Sequence, residues 1–241
     1  LGDDDSTAVL TYTLKKTKPT AKKKIKNRVN SIVIDKSKYV GSGIGATTLD
    51  DGLTYGAYPY GTRVQDSKIS LNIPDIIRIH GIYESSDTTE PSSPKVVLSS
   101  LSGPEGKTTD LLIGEKLTGQ NSGAVAIVAQ KLTDSQIAYI PTNQGEFREG
   151  EVVLFEESKI QGTVSNITIP SFDVSNQFIF NSGQRGTFYD YGYIKRKTEF
   201  DEPSNQLKIY FSNGYYDSSD NGDLTTANSY TESYNFAQDV R

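Results

Sequence analysis

The sequence predicts an all-β protein, built as a discontinuous β-sheet scaffold with a small β-barrel or sandwich module inserted into it. Three observations carry that expectation. Apolar residues recur with a period of two, the stretches between them are rich in Gly, Ser, Asp, Asn and Thr, and no amphipathic helix of three turns is evident. With 34% hydrophobic and 10% aromatic residues, a chain of 241 can bury a core, which excludes wholesale disorder.

The first regular segment is 30–34. Residues 21–29 before it are the best helix candidate, and they have too few apolar positions to bury a stripe. In 68–73, Ile69, Leu71 and Ile73 alternate with Lys68, Ser70 and Asn72, the pattern of a half-buried strand. After Pro74 the alternation resumes at 77–80, with Ile77 and Ile79 inward and His80 on the polar side. Further strands are expected at 95–101, 124–129, 136–140, 151–156, 163–169, 178–180 and 206–211. In the last of these, Leu207, Ile209 and Phe211 alternate with Lys208 and Tyr210.

The composition shifts at 88–94, where Pro91 and Pro94 with small polar residues favour an extended connection. This divides the chain into a first scaffold part at 1–88, an inserted module at 89–170 and a second scaffold part at 171–241. The module has weak internal symmetry. Gly114-Glu115 and Gly150-Glu151 stand 36 residues apart, each followed by a turn and then an apolar strand, so two copies of one hairpin are expected to close on each other. A spacer or contact module is expected rather than a catalyst.

Charge is divided unevenly. Residues 1–40 hold 10 Lys and Arg against 4 Asp and Glu, whereas the remainder holds 15 against 26. The basic segment is Lys15, Lys16, Lys18, Lys22, Lys23, Lys24, Lys26 and Arg28. No aromatic residue interleaves it, so an arm docked on an acidic neighbour is expected in preference to nucleic acid. No run approaches the roughly 18 apolar residues of a membrane helix, and a membrane is not an expected partner. Leu1 and the absence of Met predict a fragment of a longer chain.

Little points to catalysis. One His and no Cys exclude metal sites built on several such ligands, Gly41 to Gly45 lacks the Gly-Lys-Ser/Thr ending of a phosphate loop, and no carboxylate pair is placed for hydrolysis. No cofactor is expected. Asp217, Asp220 and Asp223 are weak calcium candidates, because position twelve of that loop is Asn228 where an EF-hand needs a bidentate Glu. The stretch 188–197 mixes rings with cations: Phe188, Tyr189, Tyr191 and Tyr193, then Lys195, Arg196 and Lys197. These residues are the interaction candidates, read as a subunit contact with a possible free sheet edge.

Three stretches also carry a family resemblance. Gly43-Ile44-Gly45-Ala46-Thr47-Thr48-Leu49-Asp50-Asp51-Gly52, continuing through Tyr60-Gly61-Thr62-Arg63 to His80-Gly81-Ile82-Tyr83-Glu84, resembles segments of large virion structural proteins of T-even-like marine cyanophages. Gly183-Gln184-Arg185-Gly186-Thr187-Phe188-Tyr189-Asp190-Tyr191 is similar to a motif of phage tail and baseplate proteins, and the pattern from Gly114 to Ala124 resembles small β modules in such proteins. The resemblance implies a non-enzymatic virion component of tail or baseplate, with other virion proteins or copies of itself as partners and no catalytic residues to carry over. The alternative is a receptor-binding module for a host-surface carbohydrate, for which Tyr215-Tyr216-Asp217 supplies rings beside an acidic group.

Overall fold

The computed structural model describes residues 9–13, 15, 17–34, 38–39, 49–50, 64, 66–184, 190–217 and 219–224. The protein is all-β: apart from two single turns of 3-10 helix, its regular structure is antiparallel sheet. The strands are β1 (Lys24–Ile34), β2 (Lys38–Tyr39), β3 (Leu49–Asp50), β4 (Lys68–Ser70), β5 (Ile76–Ser85), β6 (Lys95–Ser99), β7 (Lys116–Gly119), β8 (Val125–Lys131), β9 (Gln136–Pro141), β10 (Val152–Phe155), β11 (Gln161–Thr168), β12 (Ser171–Asp173), β13 (Phe178–Asn181), β14 (Tyr193–Arg196) and β15 (Leu207–Tyr216). Strands from both ends of the chain share sheets. A four-stranded sheet runs β1-β15-β5-β12 and a three-stranded one β13-β14-β4, while β6 to β11 close a barrel in the order β10-β11-β6-β9-β8-β7; β2 pairs with β3 separately.

Three layers result. Ile82, Leu207, Ile209 and Phe211 on one face of the four-stranded sheet pack with Ile69, Phe178 and Ile194 of the three-stranded sheet. The opposite face, through Val29, Tyr83 and Tyr210, packs on Ala129, Ala138 and Ile140 of the barrel. The central strand β15 is therefore covered on both faces. Residues 207–213 are all buried, including Lys208 and Tyr210, whose alternation predicts a single covered face. Burying each of the apolar side chains at 207, 209 and 211 is worth about 1.5–3 kcal/mol. Lys208 is accommodated by an ion pair to Glu90 at 2.5 Å and by the Tyr210 ring 5.6 Å away.

Bulges explain where the simple alternation fails. The pairing of β5 with β15 skips His80 and Ile77, and that of β1 with β15 skips Arg28 and Val29. The phase of β5 flips at these points. Ile76 becomes fully buried and Ile77 only half so, and His80 turns inward rather than out. Residues 24–29 of the one helix candidate are strand, since β1 can lay its backbone along β15 without needing an apolar stripe.

Within the barrel, the two Gly-Glu segments occupy equivalent places. Gly114 N donates to Val128 O and Gly150 N to Val164 O; Val128 N donates back to Glu115 O and Val164 N to Glu151 O, so each contact recurs 36 residues on. Gly114 and Gly150 have φ of +77° and +82°, a conformation that disfavours any side chain with a Cβ. The same twofold relation brings β9 onto β6, because Val128 faces Tyr139 as Val164 faces Leu98.

Candidate contact surfaces and buried polar groups

The tyrosine-cation stretch enters the three-stranded sheet as its middle strand. β14 is bonded to β13 on one side and β4 on the other, so it offers no free edge; this corrects the edge expectation. What it presents is a face. Ile194 is buried, while Tyr193 and Lys195 lie on the other side beside Lys68 and Ile179, the latter 55% exposed. Lys68 Nζ sits 3.9 Å from the centre of the Tyr193 ring. One face of that ring is thus occupied by an ammonium group. Tyr191 is exposed just before the strand, Lys197 N donates to Gln177 O, and Arg196 has one buried guanidinium nitrogen without a partner. Phe188 and Tyr189 lie outside the described residues.

The basic segment divides into two parts. Lys15 and Lys18 are exposed, and Lys16 lies outside the described residues. From residue 20 onward the chain is fastened to acidic groups: Thr20 N donates to Asp223 Oδ2 at 2.9 Å, Lys23 N to Asp220 Oδ2 at 2.5 Å, and Lys24 Nζ pairs with Asp75 at 2.5 Å beneath the Tyr216 ring. Lys22 N donates to Leu224 O, its side chain half-buried, and Lys26 is held below its ordinary pKa by burial and by the neighbouring Arg28 and Arg78. Arg28 crosses to the barrel, where it forks onto the Glu157 carboxylate and donates to Gly114 O at 2.9 Å.

The same contacts determine what the calcium candidates can do. Asp223 and Asp220 hold the incoming arm, and Asp217 accepts from the Ser219 hydroxyl and amide, which keep its carboxyl below the usual range. Among the described residues, no group of three or more acidic or His side chains converges as a metal site would require. A cleft of about 430 Å³ does open there, lined by Lys23, Lys24, Ile25, Asp217, Ser219, Asp220 and Asn221.

Two carboxylates that sequence reasoning passed over are the most confined among the described residues. Glu115 is wholly buried and accepts from Leu112 N, Glu157 N, Ser158 N and the Ser158 hydroxyl. Glu151, 2% exposed, accepts from Arg148 N, Asn121 N, Ser122 N and the Ser122 hydroxyl. Each glutamate of the duplicated pair therefore caps the turn of the other hairpin. Burial works against ionisation of Glu151, yet the donated hydrogen bonds prevail and hold its pKa below the ordinary value. The repeated Gly-Glu was the signal, but spacing alone does not reveal that the caps are exchanged.

His80 is not the surface residue its place in the alternation predicts. Half-buried at its bulge, its Nε2 lies 3.2 Å from the Arg28 carbonyl and donates to it. Desolvation first, and then the positive charge of Arg78, lowers its pKa to about 4. It is neutral at pH 7 and tied to the junction between sheet and barrel.

Comparison with family models, curated proteins and solved structures returned no match.

Proposed function

We propose that this chain is a non-enzymatic structural protein of a phage virion, a tail or baseplate component that joins neighbouring subunits. The observation that carries the reading is the buried junction between barrel and sheet. Val29, Tyr83 and Tyr210 against Ala129, Ala138 and Ile140, with the Arg28–Glu157 fork at the rim, make one block of scaffold and module. A block of this kind transmits position, which is what a subunit of a large assembly must do. Its confined carboxylates serve as turn caps, and its outer surface carries large apolar and aromatic groups: Ile169, Phe172, Ile179, Tyr191 and Tyr215 are each 44–68% exposed. Localisation in the virion follows from the same proposal, together with the sequence resemblance to cyanophage virion proteins.

Immunogold labelling of intact particles, with antibodies to this chain, tests the proposal. Labelling at the tail or baseplate is the expected result; absence of the chain from purified particles overturns it. Replacing Tyr191 and Tyr193 by Ser is expected to weaken assembly and leave any glycan binding intact. A second reading, recognition of a host-surface carbohydrate, draws on the cleft beside Tyr215 and Tyr216, where Asp217, Asn221 and Lys23 supply acceptors and donors. Specific binding in a glycan array screen, abolished by Tyr215→Ser with assembly preserved, would establish that reading instead.

A further inference from the structure

The two most exposed large apolar side chains of the described residues stand near the start of the chain, Val9 at 94% and Leu10 at 80%, with Tyr12 close by at 68%. The sequence around them has the chemistry of a strand. Leu10 and Tyr12 alternate with Val9, Thr11 and Thr13, every residue from 9 to 13 is aliphatic, aromatic or β-branched, and none is charged. Yet residues 9–13 belong to no strand. Water is a poor environment for such a segment, and a sheet edge is a good one.

An edge with matching properties is present on the same molecule. β12 is the outer strand of the four-stranded sheet; among the described residues β5 is the one strand laddered to it, and Ser92 N donates to the Ser171 hydroxyl at its start. Its Phe172 is 63% exposed and Ile169, two residues before the strand, 68% exposed. The surroundings are acidic. Asp173 lies in β12, Asp87 follows Ser85, the partner of Ser171, and Asp201 and Glu202 precede Ser204, whose amide donates to the Glu84 carboxylate opposite Phe172; Asp87, Asp173, Asp201 and Glu202 are all exposed. Directly behind the apolar arm come the exposed cations Lys15 and Lys18.

We infer that residues 9–13 of one copy add as an outer strand to β12 of a second copy, with Leu10 or Tyr12 packing on Phe172 and with Lys15 and Lys18 facing the carboxylates around that edge. This rests on the proposed structural function and names its partner. The contact is heterologous, arm to edge, so each copy both gives and receives a strand and the assembly propagates into a ring or filament. The arm's own anchor, Thr20 to Lys24 held by Asp220, Asp223 and Asp75, fixes where it leaves the body.

Sedimentation velocity on the full chain tests this with two variants. The arm variant Leu10→Asp/Tyr12→Asp and the edge variant Phe172→Asp are each expected to be monomeric at concentrations where the unaltered chain associates. Mixed together they should form a one-to-one dimer and nothing larger, because only one arm and one edge remain competent. Circular dichroism confirms that each variant keeps its strands, and Phe172→Ser replaces Phe172→Asp if that one does not fold. A labelled peptide of residues 7–20 should bind the arm variant at least tenfold more tightly than the edge variant. A chain that stays monomeric, or association untouched by the edge variant, overturns the inference. Virion labelling without association would retain the structural function and discard this contact.

Discussion

The barrel contains two halves of nearly the same backbone, and they differ in what they face. β9, on the scaffold side, is buried at four successive residues, Ile137 to Ile140; its counterpart β6 alternates, with Val96 and Leu98 inside and Val97 and Ser99 turned outward. Ala129, bulged out of β8 onto the scaffold, corresponds to Ser165 at the equivalent bulge of β11. The inward positions of the two halves are alike, Leu117 with Val153 and Val128 with Val164, all fully buried or nearly so. A change in the outward residues alone is enough to turn a solvated barrel face into a buried junction, because in a strand the two faces vary independently.

The comparison can be broken most severely at what the halves share. Glu115→Ala and Glu151→Ala each leave several part-buried turn amides without their acceptor, and each is expected to cost about 2–3 kcal/mol, measured by urea unfolding. Twofold equivalence demands losses of similar size. A large loss at one site with none at the other would refute reciprocal capping.

Next comes what distinguishes them. Ile140→Ser, which copies Ser99 onto the docked face, is expected to cost about 2–4 kcal/mol, whereas Ser99→Ala should change stability by less than about 0.5 kcal/mol. Calorimetry of Ile140→Ser should resolve scaffold and barrel as separate transitions. If melting remains a single unchanged step, the junction is not what couples them.

Acid should act on the scaffold side of the junction, where His80 of β5 meets the Arg28 carbonyl of β1. His80 is neutral in the folded protein down to its pKa of about 4, while the unfolded chain titrates near 6.5. The unfolded state therefore binds the extra proton between those values, and stability present above pH 6.5 is lost as pH falls toward 4, by an amount on the order of 2–3 kcal/mol. His80→Gln should flatten that part of the pH–stability curve; an unchanged slope would show that other groups produce it.

The smallest effect sharpens the equivalence. Lys159 holds φ of +62° at the place where the first hairpin has Gly123 with φ of +66°. Lys159→Gly relieves a left-handed lysine and is expected to stabilise by about 0.5–1 kcal/mol, read as a rise in Tm.

Much of this is legible in the sequence. The period of two located ten segments that are strands, and the 36-residue Gly-Glu echo located the equivalent hairpins. β2, β3, β7, β12 and β14 were not among the expected strands. Two to four residues do not establish a period, and in β14 the cations obscure Ile194. The contact candidates were partly legible: Tyr193 and Lys195 do share an outward face, but that β14 is internal depends on β4 and β13, which lie far from it in sequence on one side and across a loop on the other.

Local alternation determines which side chains share a face of a strand, since the backbone geometry of an extended chain leaves no other choice. Whether that face meets water or protein is settled by partners distant in sequence. Lys208 and Tyr210 look solvated from their neighbours alone; the barrel covers them, Glu90 meets the ammonium, and the same junction draws His80 and Arg28 out of solvent. Those contacts span from 52 residues, for His80 and Arg28, to 118, for Lys208 and Glu90. No local pattern encodes them, because they follow from how completed sheets stack once each has an apolar face to bury.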